Sequence, residues 1–234
     1  MCIRDSSKRF NASAVRIEQL VRSHKSLLAN ASHELRSPLT RIRMSLELMG
    51  DQPSPAARAE ISRNIAELDQ LIDEILLASR LDASEADMGT IEAVDLTGLA
   101  AEECARVDAE LDLVEGTDNA ALTVPGVSRL LRRVIRNLLE NARRYGAGEI
   151  SVELGSADGQ ATVRVNDRGP GVPAALRERI FEPFYRLPGA SERNGGVGLG
   201  LALVKSITER HGGTVRCEDR PGGGASFVVR LPRG

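Results

Sequence analysis

The sequence predicts a protein of two parts: a helical hairpin that forms a four-helix bundle with a second copy, followed by an α/β sandwich. Apolar residues recur every seven positions in the first third of the chain, and a Gly/Pro-rich break divides that third in two. After residue 90, short runs of β-forming residues alternate with helical stretches. The first pattern is typical of paired helices, and the second of a sheet covered by one layer of helices.

Composition and charge exclude several classes of function. The 234 residues include 31 Lys and Arg against 33 Asp and Glu, so we expect no direct nucleic-acid partner. The sequence has no run of about 18 apolar residues, so a membrane would be reached only through segments upstream of this chain. Cys2, Cys104 and Cys217 show no metal-ligand spacing and indicate reduced thiols in a soluble, cytoplasmic fragment.

The first part is predicted to be helical from about Phe10 to Leu81. Apolar residues are spaced seven apart at Val21, Leu28, Leu35, Ile42 and Met49. A second apolar position, four residues further on, is occupied by Leu39 and Leu46. After the turn "GDQPSPAA" the step returns at Ile61, Leu68 and Ile75, with Ile65 and Ile72 between them. A lone hairpin buries too little apolar surface to be stable in water, and two hairpins in a four-helix bundle would bury both seams, so we expect a homodimer. The alternative is that the hairpin packs on the second domain of its own chain.

The second part follows the polar linker "DASEADMGT". Its β-type runs are "TIEAVDL", "AALTV", "EISVELG", "ATVRVND", "GTVRCED" and "ASFVVRL", and its predicted helices are Leu96 to Leu111, Gly126 to Tyr145, Pro173 to Phe181 and Gly200 to His211. We therefore expect a dimerisation domain over 23–85 and a sandwich domain over 90–234. The opening "MCIRDSS" fits nothing downstream and is excluded as a cloning or assembly scar within a separate 1–22 segment.

A histidine in the segment "SHELRSPLT" is the first candidate for chemistry. His33 lies on the outer side of the heptad pattern, so its ring should face solvent. Glu34 could take a proton from one ring nitrogen and leave the other as a nucleophile. Pro38 removes a backbone donor and should kink or loosen the helix. A plain surface histidine is the structural alternative.

The helix "RRVIRNLLENARRYG" carries two asparagines on one face. Asn137 and Asn141 are four residues apart, and two amide oxygens one turn apart could hold a hydrated Mg²⁺. Arg144 could reach phosphate oxygens. The alternative is that the asparagines only cap or solvate the helix, and the many arginines indicate a solvated basic face.

Two glycine-containing segments follow. In "VNDRGPGVP", Asp167 ends a β-type run before Gly169 and Gly171, and its carboxylate could accept a hydrogen bond from an exocyclic amine such as that of adenine. A plain turn is the alternative. In "NGGVGLGLALV", glycines lead into an apolar helix whose first N–H groups suit an anion, although neither a dinucleotide nor a Walker pattern is present. We expect His211 only to end this helix.

The order of these segments is more specific than any one of them. "SHELRSPLT", "NLLENARRY", "NDRGPGV", "FEPFYR", "GVGLGLALV" and "GGGASF" resemble the H, N, G1, F, G2 and G3 boxes of bacterial sensor histidine kinases. The resemblance covers nearly all of Phe10 to Pro232 and implies a Bergerat/GHKL-type ATP-binding sandwich. "FNASAVRIEQLVRSHKSLLAN" is similar to the exit helix of a HAMP module, which implies a full-length protein in the bacterial inner membrane.

The resemblance also implies roles for individual residues. His33 would accept the phosphoryl group from ATP, with Glu34 as acid/base neighbour, and a response regulator receiver domain would take it onto an aspartate. Asn141 would be the principal Mg²⁺ ligand, helped by Asn137. The other residues expected to bind nucleotide are Arg144, Tyr145, Asp167, Gly169, Gly171, Phe181, Phe184, Arg186, Gly196, Val197, Gly198, Leu199, Gly200 and Leu201.

Three positions depart from the family pattern. Ser37 stands where the family has Thr or Asn to position water for dephosphorylating the partner, and it retains a hydroxyl. Ala225 replaces a common Thr of the G3 box. Pro125-Gly126 replaces a common Gly-Asp before the N box, which leaves Ser128 or Gly126 as weaker helix caps.

Two other classes of protein share parts of this pattern. A gyrase-, chaperone- or mismatch-repair-type ATPase would have the N and G boxes but no phosphoacceptor helix, and normally a Glu where Asn137 stands. A dimeric scaffold could bind nucleotide and transfer nothing.

Overall fold

The computed structural model describes residues 27–47, 54–82, 89–118, 122–146, 148–189 and 196–233. The chain divides into two compact units, Met1–Ser84 and Glu85–Gly234. Among the described residues, no helix combines the length and apolar character needed to cross a bilayer. The expectations for residues 1–22, including the HAMP-like helix, lie outside the described residues.

The first unit is a hairpin of two helices, α1 over 27–47 and α2 over Pro55–Asp82. α2 begins after Ser54, whose Oγ accepts a hydrogen bond from the N–H of Ala57 at 3.1 Å and so satisfies one free donor of the first turn. α1 continues through Pro38, so this proline does not end the helix. The kink expected at Pro38 stays a prediction.

The apolar seam predicted from the heptads is only partly covered within this hairpin. Leu27, Ala31 and Leu71 are buried. Heptad residues remain open to solvent in the single chain, with 63% of Leu28, 54% of Leu39, 54% of Leu46, 46% of Ile65 and 43% of Ile72 exposed. The other seam residues are half-buried, namely Leu35, Ile42, Ile61, Leu68 and Ile75. The single hairpin therefore covers one side of the seam and leaves the other side uncovered.

The second unit is an α/β sandwich, as predicted. Its helices are α3 (Leu96–Ala105), α4 (Ser128–Tyr145) and α5 (Gly200–Arg210). Its strands are β1 (Glu92–Asp95), β2 (Glu110–Leu113), β3 (Thr123–Gly126), β4 (Ser151–Ala157), β5 (Gln160–Asn166), β6 (Thr214–Asp219) and β7 (Ala225–Pro232). The main sheet has the order β2-β4-β5-β7-β6, with β2 parallel to β4 and the other pairs antiparallel, and β1 pairs with β3 separately.

One face of the main sheet carries the core. The register aligns one apolar row across four strands and a second row two residues away: Val152, Val165, Phe227 and Cys217, then Leu154, Val163, Val229 and Val215. Residues two apart in a strand point to the same face, so both rows meet the helices. The buried apolar residues of α4 and α5 cover them.

Two predicted helices were wrong in extent. The helix expected over Leu96–Leu111 ends at Ala105, and the chain turns at Asp108, which has a φ of +56°. Residues Glu110–Leu113 instead form β2, because their backbone pairs in parallel with β4. The helix expected over Pro173–Phe181 is two 3₁₀ turns, Ala174–Leu176 and Arg179–Phe181.

The start of α4 depends on a histidine that the sequence suggested was only a helix end. Neither expected cap acts: the N-cap residue is Val127, and it has no side-chain cap. The N–H of Val127 lies 3.1 Å from His211 Nε2, whose Nδ1 lies 2.7 Å from the carbonyl of Ile207. Nδ1 therefore carries the proton and Nε2 accepts, so His211 joins the end of α5 to the start of α4.

The arginines of α4 are not simply a solvated basic face. Glu103 of α3, with only 3% of its side chain exposed, accepts hydrogen bonds from Arg136 Nε at 3.0 Å and Nη2 at 2.8 Å. Arg132 lies 3.3 Å from the same carboxylate, and Arg106 lies 3.8 Å from it. The hydrogen bonds from Arg136 are the main reason why the pKa of Glu103 is lowered, although burial opposes them. This carboxylate joins α3 to α4.

Both described cysteines are free and buried. Burial raises the pKa of the Cys104 thiol to about 11 and that of Cys217 to about 12. Protonated, buried thiols are poor nucleophiles, so these side chains act as small apolar core residues.

We expect Glu103→Gln to lower the free energy of unfolding by about 2 kcal/mol, because it leaves partly buried arginines without their carboxylate. Urea unfolding followed by circular dichroism measures the loss. Because the pKa of Glu103 is lowered in the folded state, its negative charge stabilises the protein fully above the unfolded pKa of the carboxyl group. This stabilisation is lost as pH falls through the folded pKa. The difference in unfolding free energy between the variant and the original protein should therefore shrink below about pH 4.

The control is Glu102→Gln. Glu102 also pairs with Arg132, but its side chain is 63% exposed, so its loss should cost no more than about 0.5 kcal/mol. Equal losses in the two variants would contradict a special role for the buried carboxylate.

Candidate functional site

The predicted phosphoacceptor lies on an accessible surface of α1. His33 is exposed, as the heptad position predicted, and Glu34 is half-buried. Ser37 is exposed one helical turn after His33, so the two side chains share one face. An exposed imidazole with a hydroxyl one turn away can be approached directly by a second molecule.

α4 carries the predicted asparagines at different depths. Asn137 is buried, with 6% exposure, and its Nδ2 donates to the carbonyl of Gly200 at 3.1 Å. This bond joins α4 to the first residue of α5 and leaves the Oδ1 of Asn137 as an acceptor. Asn141, one turn later, is half-buried. Two amide oxygens therefore lie on one face of α4, and the Asn137 side chain on that face contacts the start of α5.

Asp167 lies at the end of β5 and is nearly buried, with 4% exposure. Its Oδ1 accepts hydrogen bonds from the N–H of Gly169 at 2.8 Å and from the N–H of Ala225 at 3.2 Å. The second donor is a backbone group, so the Ala at the G3 position still supplies a contact to the carboxylate. With Oδ1 fixed by two donors, the carboxylate has a defined direction for a further donor at Oδ2.

Close backbone packing around Asp167 explains why three neighbouring positions are glycine. A Cβ on Gly224, which has a φ of +105°, would overlap the carbonyl oxygen of Asp167. A Cβ on Gly169 would lie 2.5 Å from the carbonyl oxygen of Tyr145, and one on Gly146 would lie 2.9 Å from Asp167 Cβ. From the sequence, Gly222 to Gly224 could be a hairpin turn before the final strand, and this glycine run was the signal for the contact with Asp167.

The glycine loop before α5 is hydrogen-bonded to the segment "FEPFYR", Phe181 to Arg186. The N–H of Phe184 donates to the carbonyl of Gly198 at 2.9 Å, and both residues have positive φ, +62° and +78°. A Cβ on Gly198 would lie 2.8 Å from the carbonyl oxygen of Tyr185, so only glycine fits there. Phe181 is buried and meets Phe227 edge-to-face, with 6.4 Å between ring centroids. The segment is therefore anchored in the core at one end and to the glycine loop at the other.

The structure brings most of the predicted nucleotide residues together. Gly196 lies against Arg144 and Tyr145, since a Cβ there would be 2.5 Å from Arg144 Nη1 and 3.0 Å from Tyr145 Oη. Gly200 lies against Asn137. Of the other predicted nucleotide residues, Leu199 is buried and Gly171, Arg186, Val197 and Leu201 are half-buried. Much of the predicted lid, "LPGASERNGG", lies outside the described residues.

Two amide oxygens on α4 could serve as ligands of a hard cation. Within the described ranges there is no group of three or more His, Cys, Asp or Glu side chains that could hold a metal. Asn137 and Asn141 place two amide oxygens on one face of α4. Mg²⁺ retains waters and commonly shares its ligands with a bound phosphate, so this donor set fits Mg²⁺ brought with a nucleotide.

Comparison with known proteins agrees with this geometry. Residues 126–234 match the family model described as Histidine kinase-, DNA gyrase B-, and HSP90-like ATPase. Residues 23–84 match the one described as His Kinase A (phospho-acceptor) domain. Sensor protein RstB of Escherichia coli strain K12 is 38% identical over 234 residues, which cover 95% of this chain and 52% of RstB. This chain thus spans about half the length of that relative.

Two solved structures are also similar. The mycobacterial sensor histidine kinase MprB is 32% identical, covers 61% of this chain and 97% of its own, and has a TM-score of 0.52. Histidine kinase ThkA in complex with response regulator protein TrrA covers 97% of this chain and 66% of its own, with a TM-score of 0.71 and 24% identity. At that identity, the resemblance to ThkA shows the fold alone.

Two neighbouring glycines test the backbone packing at Asp167. We expect Gly224→Ala to weaken ATP binding at least about tenfold, or about 1.4 kcal/mol, because the new Cβ must displace Asp167. Gly223→Ala is the matched control: its φ of +97° is similarly strained, but no atom lies within 4 Å of the new Cβ.

We expect Gly223→Ala to cost about 1 kcal/mol of stability and to leave affinity unchanged. Isothermal titration calorimetry with ATP measures both variants. Equal affinity in the two would show that the contact with Asp167 does not shape the site.

Proposed function

We propose that this chain, which belongs to the bacterial sensor histidine kinases, phosphorylates its own His33 from ATP and passes the phosphoryl group to an aspartate of a response regulator. The observation that carries this proposal is the presence of two complete elements in one chain: an exposed histidine on a helix that matches the phosphoacceptor domain, and a clustered Asn, Asp and glycine site in the ATPase-like domain. A gyrase-type ATPase has no counterpart of the first element.

In the proposed reaction the neutral imidazole of His33 attacks the γ-phosphorus in line. A P–N bond forms as the bond to the bridging oxygen of ADP breaks, and ADP leaves with that electron pair. Glu34 accepts the proton that the ring loses. Phosphohistidine then gives the phosphoryl group to the carboxylate of the receiver, which restores the imidazole.

The residues of the second unit would orient the nucleotide. Asp167 Oδ2 would accept a hydrogen bond from the adenine amino group, because Oδ1 is already held by two backbone donors. The N–H groups at the start of α5 would face the phosphates, with Arg144 beside Gly196. Asn141, assisted by Asn137, would hold Mg²⁺, whose charge would offset that of the triphosphate.

We further propose that Ser37 supports dephosphorylation of the receiver. The hydroxyl is exposed one turn from His33, where the receiver must approach for transfer. ThkA, which shares this fold, is a histidine kinase solved in complex with response regulator protein TrrA, and we propose a partner of the same class for this chain. A location of a longer protein in the inner membrane remains a prediction.

Uncovered seam residues support a homodimer. Leu28, Leu39, Leu46, Ile65 and Ile72 are large, apolar and exposed on the single hairpin. A second hairpin would bury them in a four-helix bundle, which is the arrangement that the heptad spacing predicts.

Incubation with γ-labelled ATP and Mg²⁺ tests the kinase activity. We expect an acid-labile, alkali-stable label on the protein that is lost in His33→Gln and retained in His24→Gln, the control from the same predicted helix. Asn141→Ala should also abolish labelling, because the nucleotide is then held without its principal metal ligand. Release of free phosphate without protein label would support an ATPase instead, and neither product would support a nucleotide-binding scaffold.

A second measurement tests the dimer. We expect Leu46→Glu to raise the dimer dissociation constant at least about tenfold, because the charge would be buried in the seam. Met44→Glu is the control, since Met44 is 56% exposed on the same helix but off the heptad seam. Sedimentation equilibrium measures both, and equal effects would exclude the predicted seam as the dimer contact.

A further inference from the structure

Arg41 connects the helix of the predicted phosphoacceptor to the second helix of the hairpin. Its Nε donates to Asn64 Oδ1 at 2.6 Å, and its Nη2 lies 2.5 Å from Glu67 Oε2. The third guanidinium nitrogen, Nη1, donates to Ser37 Oγ at 3.1 Å. One cation therefore holds a hydroxyl of α1 against two acceptors of α2.

Asn64 fixes the direction of this guanidinium. Its side chain is buried, with 6% exposure, and its Nδ2 donates to the carbonyl of Glu60 at 2.9 Å. Because the amide nitrogen is committed to a backbone acceptor, the amide oxygen is the atom that faces Arg41. A guanidinium is planar and rigid, so fixing Nε and Nη2 also fixes where Nη1 points.

Ser37 makes a different hydrogen bond from two other hydroxyls of α1. Ser32 donates to the carbonyl of Leu28 and Thr40 donates to the carbonyl of Arg36, each at 2.8 Å, so both commit their O–H to the helix backbone. The oxygen of Ser37 instead accepts from Arg41. A serine hydroxyl has one O–H and two lone pairs, so this contact leaves the O–H and one lone pair for a partner.

We propose that Arg41 is a positioning residue for Ser37 in dephosphorylation of the receiver, an inference that rests on the proposed function. Water attacks phosphorus of the aspartyl phosphate, a P–O bond forms, and the carboxylate leaves with the electrons of the broken P–O bond. One water hydrogen stays on the new P–OH group and the other passes to a phosphate oxygen. Ser37 accepts a hydrogen bond from the water and donates its own to a phosphoryl oxygen, while Arg41 holds it in that orientation.

The substrate for the test is a receiver domain carrying labelled aspartyl phosphate. The receiver chosen is the one that removes label from the phosphorylated chain fastest in a panel of purified receiver domains. We expect Arg41→Gln to lower kcat of dephosphorylation at least about tenfold, with KM for the phosphorylated receiver and the autophosphorylation rate within about twofold. Arg41→Lys should not restore kcat, because an ammonium cannot make the three-armed contact.

Arg43→Gln is the matched control. Arg43 lies on the same helix and pairs with Glu47 at 3.1 Å, so its removal deletes an equal charge and a local ion pair without touching Ser37. We expect unchanged kcat, and a loss equal to that of Arg41→Gln would overturn the proposal.

A double variant separates positioning from the other roles of an arginine. We expect Ser37→Ala to lower kcat, and Ser37→Ala with Arg41→Gln to be no slower than Ser37→Ala alone. A further loss in the double variant, or a raised KM, would show that Arg41 acts directly on the receiver and would overturn the inference. Parallel losses of melting temperature and autophosphorylation in Arg41→Gln would show a purely structural role.

Failure of the proposed function gives different results. If Ser37→Ala dephosphorylates the receiver at the normal rate, Ser37 has no part in the reaction and the role of Arg41 falls with it. If no receiver removes label from the chain, phosphotransfer itself is wrong.

Discussion

Close backbone packing around Asp167 is the constraint on which the candidate nucleotide site depends. The end of β5, the start of β7 and the end of α4 approach so closely that Gly224, Gly169 and Gly146 have no room for a Cβ. That approach brings two backbone N–H groups to one carboxylate oxygen. A glycine cluster is therefore what gives the carboxylate its direction, because any side chain in its place would separate the three segments.

The position of α4 depends on polar contacts as well as on apolar burial. Glu103 joins α4 to α3 through a bidentate pair with Arg136, and His211 joins its first turn to α5. Asn137 adds a third connection, to Gly200. The α4 residues predicted to bind nucleotide are thus positioned by contacts at the start of the helix and along its length. Directional bonds of this kind specify rotation about the helix axis, which an apolar stripe alone specifies less closely.

Directional polar contacts also act in the hairpin, on the face that carries His33 and Ser37. Apolar residues such as Leu27 and Leu71 close the two helices on one another, while Arg41 sets the environment of an exposed hydroxyl. Its partners Asn64 and Glu67 come from the opposite helix, so the position of that hydroxyl depends on how the two helices pack. A change in their packing would therefore move the Ser37 hydroxyl, which lies one turn from His33.

The two-part class, the heptad spacing and the places of Asp167 and the glycine loops could be predicted from the sequence, because they follow from local periodicity and from conformations that only glycine adopts easily. The strand Glu110–Leu113 could not, since a four-residue run shows its class only when β4 pairs with it. The contacts of Arg41 with Asn64, of Glu103 with Arg136 and of His211 with Val127 also come from the folded chain. They join residues 23 to 84 positions apart, and no local pattern encodes a pairing at such separations.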